Sequence, residues 1–192
     1  MAGGLERKDD PKRPLGGIGY PRTLRLLVAD KNINPDTLLA TDYLNHFNEI
    51  IMLLDLVVDM PDCFEDVRSW APKSYPQHFI DTNFADRDLA ILAYENAPQR
   101  YRQPFDQVIE QMDAIVAAGI KQIGDAVASF DQEQLSVIVP KLTLNLQSLV
   151  DLASAIIHGR EITAGQSEID ALMQLEEGEE TDALEDSTSI AV

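Results

Sequence analysis

Three residues in the first third of the chain have the types and the spacing that phosphoryl chemistry needs. Asp42, His46 and Glu49 occupy positions i, i+4 and i+7, so on a helix they share one edge. An exposed histidine on a bundle helix, with acids beside it to orient its ring, is the arrangement that a phosphoacceptor histidine requires. His46 is therefore a candidate phosphoacceptor. The competing interpretation is a solvated histidine that pairs with Asp42 and Glu49.

The segment around His46 also resembles a known phosphoacceptor. Residues 44–54, LNHFNEIIMLL, resemble the phosphoacceptor helix of sensor kinases, where a histidine is followed by an acid or amide and then by aliphatic residues. The resemblance implies phosphotransfer through His46. No nucleotide-binding glycine motif follows it in the sequence, which excludes a kinase.

The same histidine raises the question of a metal site. Two segments, HFNE at residues 46–49 and HFID at 78–81, repeat a histidine followed three residues later by an acid. Carboxylate-bridged di-iron bundles use the reverse order, Glu-x-x-His, with partner glutamates on other helices. The second copy follows Pro72 and Pro76, which predict a loop there. We therefore expect no metal and no cofactor.

Other catalytic signatures are missing from the sequence. There is no G-x-S-x-G, P-loop or Cys-x-x-Cys motif. The single cysteine, Cys63, has Asp62 and Glu65 near it, and negative neighbours disfavour a thiolate nucleophile. The sequence therefore predicts a protein that is not an enzyme, with phosphotransfer through His46 as the exception to consider.

Cysteine usage and hydropathy point to the cytoplasm. One cysteine cannot form an internal disulfide, which suits a reducing compartment. The first thirty residues contain no apolar signal region. Strictly apolar runs, such as residues 50–54, are far shorter than the roughly 20 residues that span a bilayer. We expect a cytoplasmic protein without a membrane span.

The net charge of −18 is distributed unevenly along the chain. Residues 1–31 contain seven basic and four acidic residues, residues 32–160 contain eight and nineteen, and residues 161–192 contain ten acidic residues and no basic one. An acidic body followed by an acidic tail repels phosphate. The charge distribution argues against nucleic-acid binding.

The acidic tail contains a short segment with a recognisable pattern. Residues 166–173, QSEIDALM, resemble the docking peptide of the flagellar motor switch protein, S-Q-x-E-I-D-A-L, which folds into a helix on a chemotaxis response regulator. The chemotaxis phosphatase ends in a related helix with the same partner. Gln166 and Ser167 correspond to the pattern in exchanged order, and five residues match it directly: Glu168, Ile169, Asp170, Ala171 and Leu172. The resemblance implies a receiver-domain partner, although here the motif follows the body of the chain.

The physical properties of this segment agree with docking. Ser167 can cap a helix whose first turn contains Glu168 and Asp170, where acids are favourable. An apolar strip at helical spacing can fill a groove on a partner but is too small to fold alone. The alternative is a last helical turn that packs on its own bundle. The predicted partner-binding residues are Glu168, Ile169, Asp170, Leu172 and Met173.

The remaining sequence predicts the elements that carry these residues. Residues 1–33 are expected to form a flexible arm, with a short strand or an extended stretch at 23–32. A bundle follows at 34–160, with long amphipathic helices from Asn34 to about Met60, from Pro98, and from Asp131 to a stop at His158 and Gly159. The fold class is therefore all-α, a helical bundle of three long and one or two short helices, with disordered N- and C-terminal tails.

These observations together favour a cytoplasmic regulatory or adaptor protein without enzymatic activity. Its bundle is the scaffold, and its tail, residues 161–192, docks a partner, most specifically the receiver domain of a two-component response regulator. One alternative is a histidine phosphotransfer protein that uses His46. Another is a helical structural or self-assembly protein, so a homo-oligomer stays open.

Overall fold

The computed structural model describes residues 20–160 of the chain, and these residues are entirely helices and their connections. The predicted all-α helical bundle is confirmed, with no strand in the described range. It contains two 3-10 helices, Thr41–Leu44 and Pro61–Cys63. The α-helices are α1 (Tyr20–Val28), α2 (Asn45–Asp59), α3 (Phe64–Ser69), α4 (Tyr75–Asp81), α5 (Arg87–Glu95), α6 (Gln99–Ala128) and α7 (Gln132–Ile157).

The three longest helices form the core of the bundle, as the sequence predicts. α6 and α7 pack along each other as a hairpin, and α2 packs against α7. Helices α6 and α7 approach closely at Gly119, where an added Cβ would overlap the side chain of Leu142. Leu142 is half-buried against the core, and five apolar residues of the three long helices are buried in it: Phe47, Leu54, Phe105, Met112 and Leu149.

The ends of α7 follow from local chemistry. The Asp131 carboxylate accepts a hydrogen bond from the backbone N–H of Gln134 at 2.9 Å, which caps the first turn. After the last turn, Gly159 takes a φ of 93°, a left-handed conformation that glycine adopts without steric cost. Both ends therefore lie where the sequence predicts them.

The prediction of a strand or extended stretch at residues 23–32 is wrong, because the first part of this segment is α1. Leu24 and Val28 are buried, whereas Leu26 is 79% exposed. Residues 24 and 28 share a helix face, whereas a strand would place 24, 26 and 28 together. The aliphatic run thus has a four-residue period, which a reading by composition alone does not reveal.

The prediction that a long helix begins at Asn34 is also wrong. The Asn34 side chain accepts hydrogen bonds from the backbone N–H groups of Asp36 and Thr37, at 2.9 and 3.1 Å. Instead of starting a helix, this cap closes a turn, because Leu38 adopts a φ of 61° and stops the helical path. The 3-10 helix follows at Thr41, and α2 begins only at Asn45.

By length and composition, α7 is the one helix within residues 20–160 that is apolar enough to cross a membrane. It contacts both α6 and α2, and its buried face alternates with exposed polar residues such as Ser136, Gln147 and Asp151. A core helix of a bundle meets the same two criteria, so they do not assign a membrane span to α7.

Candidate functional site

His46 lies in the first turn of α2, and its side chain is only 5% exposed. The prediction of an exposed or solvated histidine is therefore wrong. Phe47 and Ile50, one residue and one turn further on, are both fully buried and set the face that α2 turns toward the core. His46 falls on that face, whereas Glu49 points to solvent.

The three predicted residues also do not share one helix edge. Asp42 belongs to the 3-10 helix that precedes α2, where the side-chain register differs from that of an α-helix. None of the ion pairs found in residues 20–160 joins His46 to Asp42 or Glu49. The structure separates the acids from the histidine that they were expected to orient.

Aromatic rings take the place of the acids around His46. Its imidazole stacks on Trp70, with ring centroids 4.7 Å apart and planes inclined by 18°. The Trp70 indole N–H donates a hydrogen bond to the His46 backbone carbonyl at 3.4 Å. Burial, with His78 and Lys73 nearby, lowers the pKa of His46 to about 4, so the ring is neutral at pH 7.

The second histidine segment forms a helix rather than the predicted loop. Residues 78–81 lie in α4, whose first turn contains Pro76 and whose start is capped by Ser74, which accepts a hydrogen bond from the Gln77 N–H at 3.3 Å. Proline at the start of a helix is favourable because its missing N–H has no partner there anyway.

α4 brings His78 into the bundle beside His46. The two imidazole centroids are 6.2 Å apart, and His78 is also buried. Burial lowers the pKa of His78 as well. Within the described residues, no group of three or more histidines, cysteines or acids is placed to hold a metal ion.

Tyr43, whose ring contacts the His78 ring, also lines a cavity of about 340 Å³ that no sequence motif predicted. Four aromatic residues line it: Tyr43, Tyr75, Tyr94 and Phe105. α6 contributes three acids to the same lining: Asp106, Glu110 and Asp113. These acids have the spacing i, i+4 and i+7, the pattern that drew attention to His46, and this signal could have identified them.

Hydrogen bonds and ring contacts fix the aromatic wall. Tyr75 and Tyr94 stack with centroids 4.4 Å apart and planes inclined by 12°. The Tyr43 hydroxyl donates to the Lys73 carbonyl at 2.6 Å, and the Tyr75 hydroxyl accepts from the Ala40 N–H at 2.8 Å. Burial raises the pKa of both phenols, so they stay protonated at neutral pH.

The acids of the cavity differ in how they are compensated. Asp106 accepts a hydrogen bond from the Tyr94 hydroxyl at 2.9 Å and lies 3.5 Å from the Arg102 guanidinium. Asp113 has one buried carboxylate oxygen, Oδ1, without a hydrogen-bond partner among the described residues. Burial, with Glu110 close by, raises the pKa of Asp113 to about 6. Lys73, the cation in the lining, is already paired with Asp81 at 3.1 Å.

Two predictions fall on residues that the structure does not describe. One is the part of the predicted arm that precedes residue 20, and the other is the set of docking residues Glu168, Ile169, Asp170, Leu172 and Met173. Comparison with protein families, with curated proteins and with solved structures finds no match for this chain.

Proposed function

We propose that this protein is a cytoplasmic adaptor without enzymatic activity, in which the helical bundle is a scaffold and the C-terminal segment docks a protein partner. The most specific partner is the receiver domain of a response regulator. The observation that carries the proposal is the segment QSEIDALM at residues 166–173, which resembles receiver-docking peptides and lies within a stretch of ten acids and no base.

The chemistry of this segment supports docking to a basic surface with an apolar groove. Ile169, Leu172 and Met173 have the spacing of one helix face, and helix-in-groove recognition uses such anchors. The acids around them speed the encounter with a basic partner.

The phosphotransfer alternative has less support than the sequence suggested. A phosphoacceptor nitrogen must meet an aspartyl phosphate on another protein, and His46 is only 5% exposed and stacked on Trp70. Self-assembly of the bundle stays a prediction.

The test compares the full-length protein, a chain ending at Arg160 and the Leu172→Ala variant for binding to a panel of purified receiver domains by calorimetry. We expect roughly micromolar affinity for one receiver, because ordering the segment on binding costs a few kcal/mol. Removal of residues 161–192 should abolish binding, and Leu172→Ala should weaken it by about tenfold or more.

Leu184→Ala is the matched control, since Leu184 lies in the same acidic stretch outside the resembling segment. It should bind as the wild type does. Equal affinity of the chain ending at Arg160 would overturn the proposal, and so would the absence of any binding receiver in the panel.

A further inference from the structure

We propose that the cavity beside Tyr43 is a binding site for an organic cation, a primary amine or a guanidinium on a short apolar stem. This site is separate from the docking segment, and neither proposal depends on the other. The size of the cavity, its uncompensated charge, the unpartnered oxygen of Asp113 and the chemistry of the aromatic wall all favour such a ligand.

The size of the cavity suits a small ligand. Its volume of about 340 Å³ falls at the lower end of the range for small-molecule sites. At about 30 Å³ for each water molecule, it holds on the order of ten waters. Residues far apart in the sequence build it, with Tyr43 before α2, Tyr75 in α4, Tyr94 in α5 and Phe105 in α6.

The charge of the cavity selects a cation. Three carboxylates from α6 line it, and Lys73, the one cation that residues 20–160 contribute to the lining, is paired with Asp81 outside the cavity. Arg102 compensates Asp106, which leaves Asp113 and the exposed Glu110 to attract a positive group. An anion, such as a carboxylate, would be repelled from this site.

Asp113 provides the specific contact that a cation would make. Its side chain is half-buried in the cavity lining, and its Oδ1 has no hydrogen-bond partner among the described residues, so the charge of this carboxylate is poorly compensated. An ammonium or guanidinium group brings both the donor and the compensating charge. Binding should therefore lower the pKa of Asp113 from its raised value.

The aromatic wall favours a donor-bearing cation over a quaternary ammonium. Tyr94 already has Tyr75 stacked on it at 4.4 Å and the Arg102 guanidinium over its ring at 4.4 Å. The faces of the Tyr94 ring are therefore already in contact with other groups and are not open to a ligand cation. The aromatic rings instead provide an apolar surface for the hydrocarbon stem of the ligand. Arg102 already makes this kind of contact within the protein, because its guanidinium lies over the Tyr94 ring and 3.5 Å from the Asp106 carboxylate.

The experiment titrates isotope-labelled full-length protein with butylammonium and butylguanidinium and follows the tyrosine rings and the Asp113 carboxylate by NMR. We expect saturable shifts at Tyr43, Tyr75, Tyr94 and Asp113. Asp113→Asn should weaken binding by about tenfold or more, since it removes a charged hydrogen bond. Tetramethylammonium, which has no N–H donor, should bind at least about tenfold more weakly than butylammonium.

Asp125→Asn is the matched control, because Asp125 is an exposed aspartate on the same helix outside the cavity. It should leave the affinity unchanged within about twofold. If Asp113→Asn does not fold, Glu110→Gln tests the same site with an exposed residue and should weaken binding by about threefold. Unchanged affinity in the folded cavity variant, equal binding of tetramethylammonium, or shifts spread over the acidic surface would overturn the proposal.

Discussion

Two sets of three titratable residues in this bundle have the same sequence spacing, i, i+4 and i+7, yet their surroundings differ. On the α2 side, His46 is buried among rings while Glu49 faces solvent. On the α6 side, Asp106, Glu110 and Asp113 line one cavity together. A sequence spacing therefore places residues on a shared edge only where one helix runs through all of them.

Helix continuity explains the contrast. α6 extends from Gln99 to Ala128 without interruption, so its three acids keep the α-helical register. α2, in contrast, begins at Asn45 and contains His46 and Glu49 but not Asp42. Asp42 belongs to the preceding 3-10 helix, which has about three residues per turn. Because Phe47 and Ile50 pack in the core, the helix orientation also places the neighbouring His46 side chain in the interior.

Burial shifts the pKa values of His46 and Asp113 in opposite directions. Burial disfavours the charged form of each group. It lowers the pKa of His46 to about 4 and raises that of Asp113 to about 6. The stability of the fold should therefore respond to pH in opposite directions through these two groups.

The largest expected effect comes from breaking the packing that orients α2. Phe47 is fully buried against His46 and Trp70, so Phe47→Ala should lower the free energy of unfolding by about 3–5 kcal/mol. The measurement is urea unfolding. Met52→Ala, on the exposed face of the same helix, should change it by no more than about 0.5 kcal/mol. A cost below about 1 kcal/mol for Phe47→Ala would show that this residue does not fix the helix face.

The next effect is the pH dependence that His46 contributes. Its pKa is about 4 in the folded state against 6.5 when unfolded, so the unfolded chain binds more protons between these values. Through His46, the free energy of unfolding should therefore decrease by about 1–3 kcal/mol as the pH falls from 6.5 toward 4. His78, whose pKa is also lowered, contributes in the same direction.

The change is measured by unfolding at several pH values. His46→Gln should reduce this loss, whereas Glu49→Gln, at an exposed position, should behave like the wild type. If Glu49→Gln changed the pH profile as much as His46→Gln does, the acid would be a partner of the histidine after all, and the contrast between the two edges would fail.

The smallest effect concerns the stability cost of Asp113. Its folded pKa is raised to about 6 from 3.8, so the folded state binds more protons between these values and stability falls as the pH rises through them. Asp113→Asn should therefore stabilise the protein at pH 7 by about 1 kcal/mol and remove that decline. Thermal unfolding at pH 4 and pH 7 tests this, with Asp125→Asn as the unaffected control. Destabilisation at pH 7 would indicate that the Asp113 carboxylate is satisfied in the free protein.

The sequence by itself determined the properties that depend on neighbours along the chain. The apolar stripes of the long helices predicted an all-α bundle, because a four- or three-residue step repeats one helix face. Asp131 and Gly159 predicted the ends of α7 through caps that need only local geometry. The acidic tail and its apolar strip at residues 166–173 are likewise visible without any structure.

The burial of His46 and the meeting of residues that are distant in the sequence became visible only in the tertiary structure. The cavity joins Tyr43, Tyr75, Tyr94 and Asp113, which no local period connects, since its walls come from four separate elements. In the same way, His46 stacks on Trp70, 24 positions further along the chain. Periodicity is a property of one segment, whereas burial and long-range contact depend on how several amphipathic faces close around a common core.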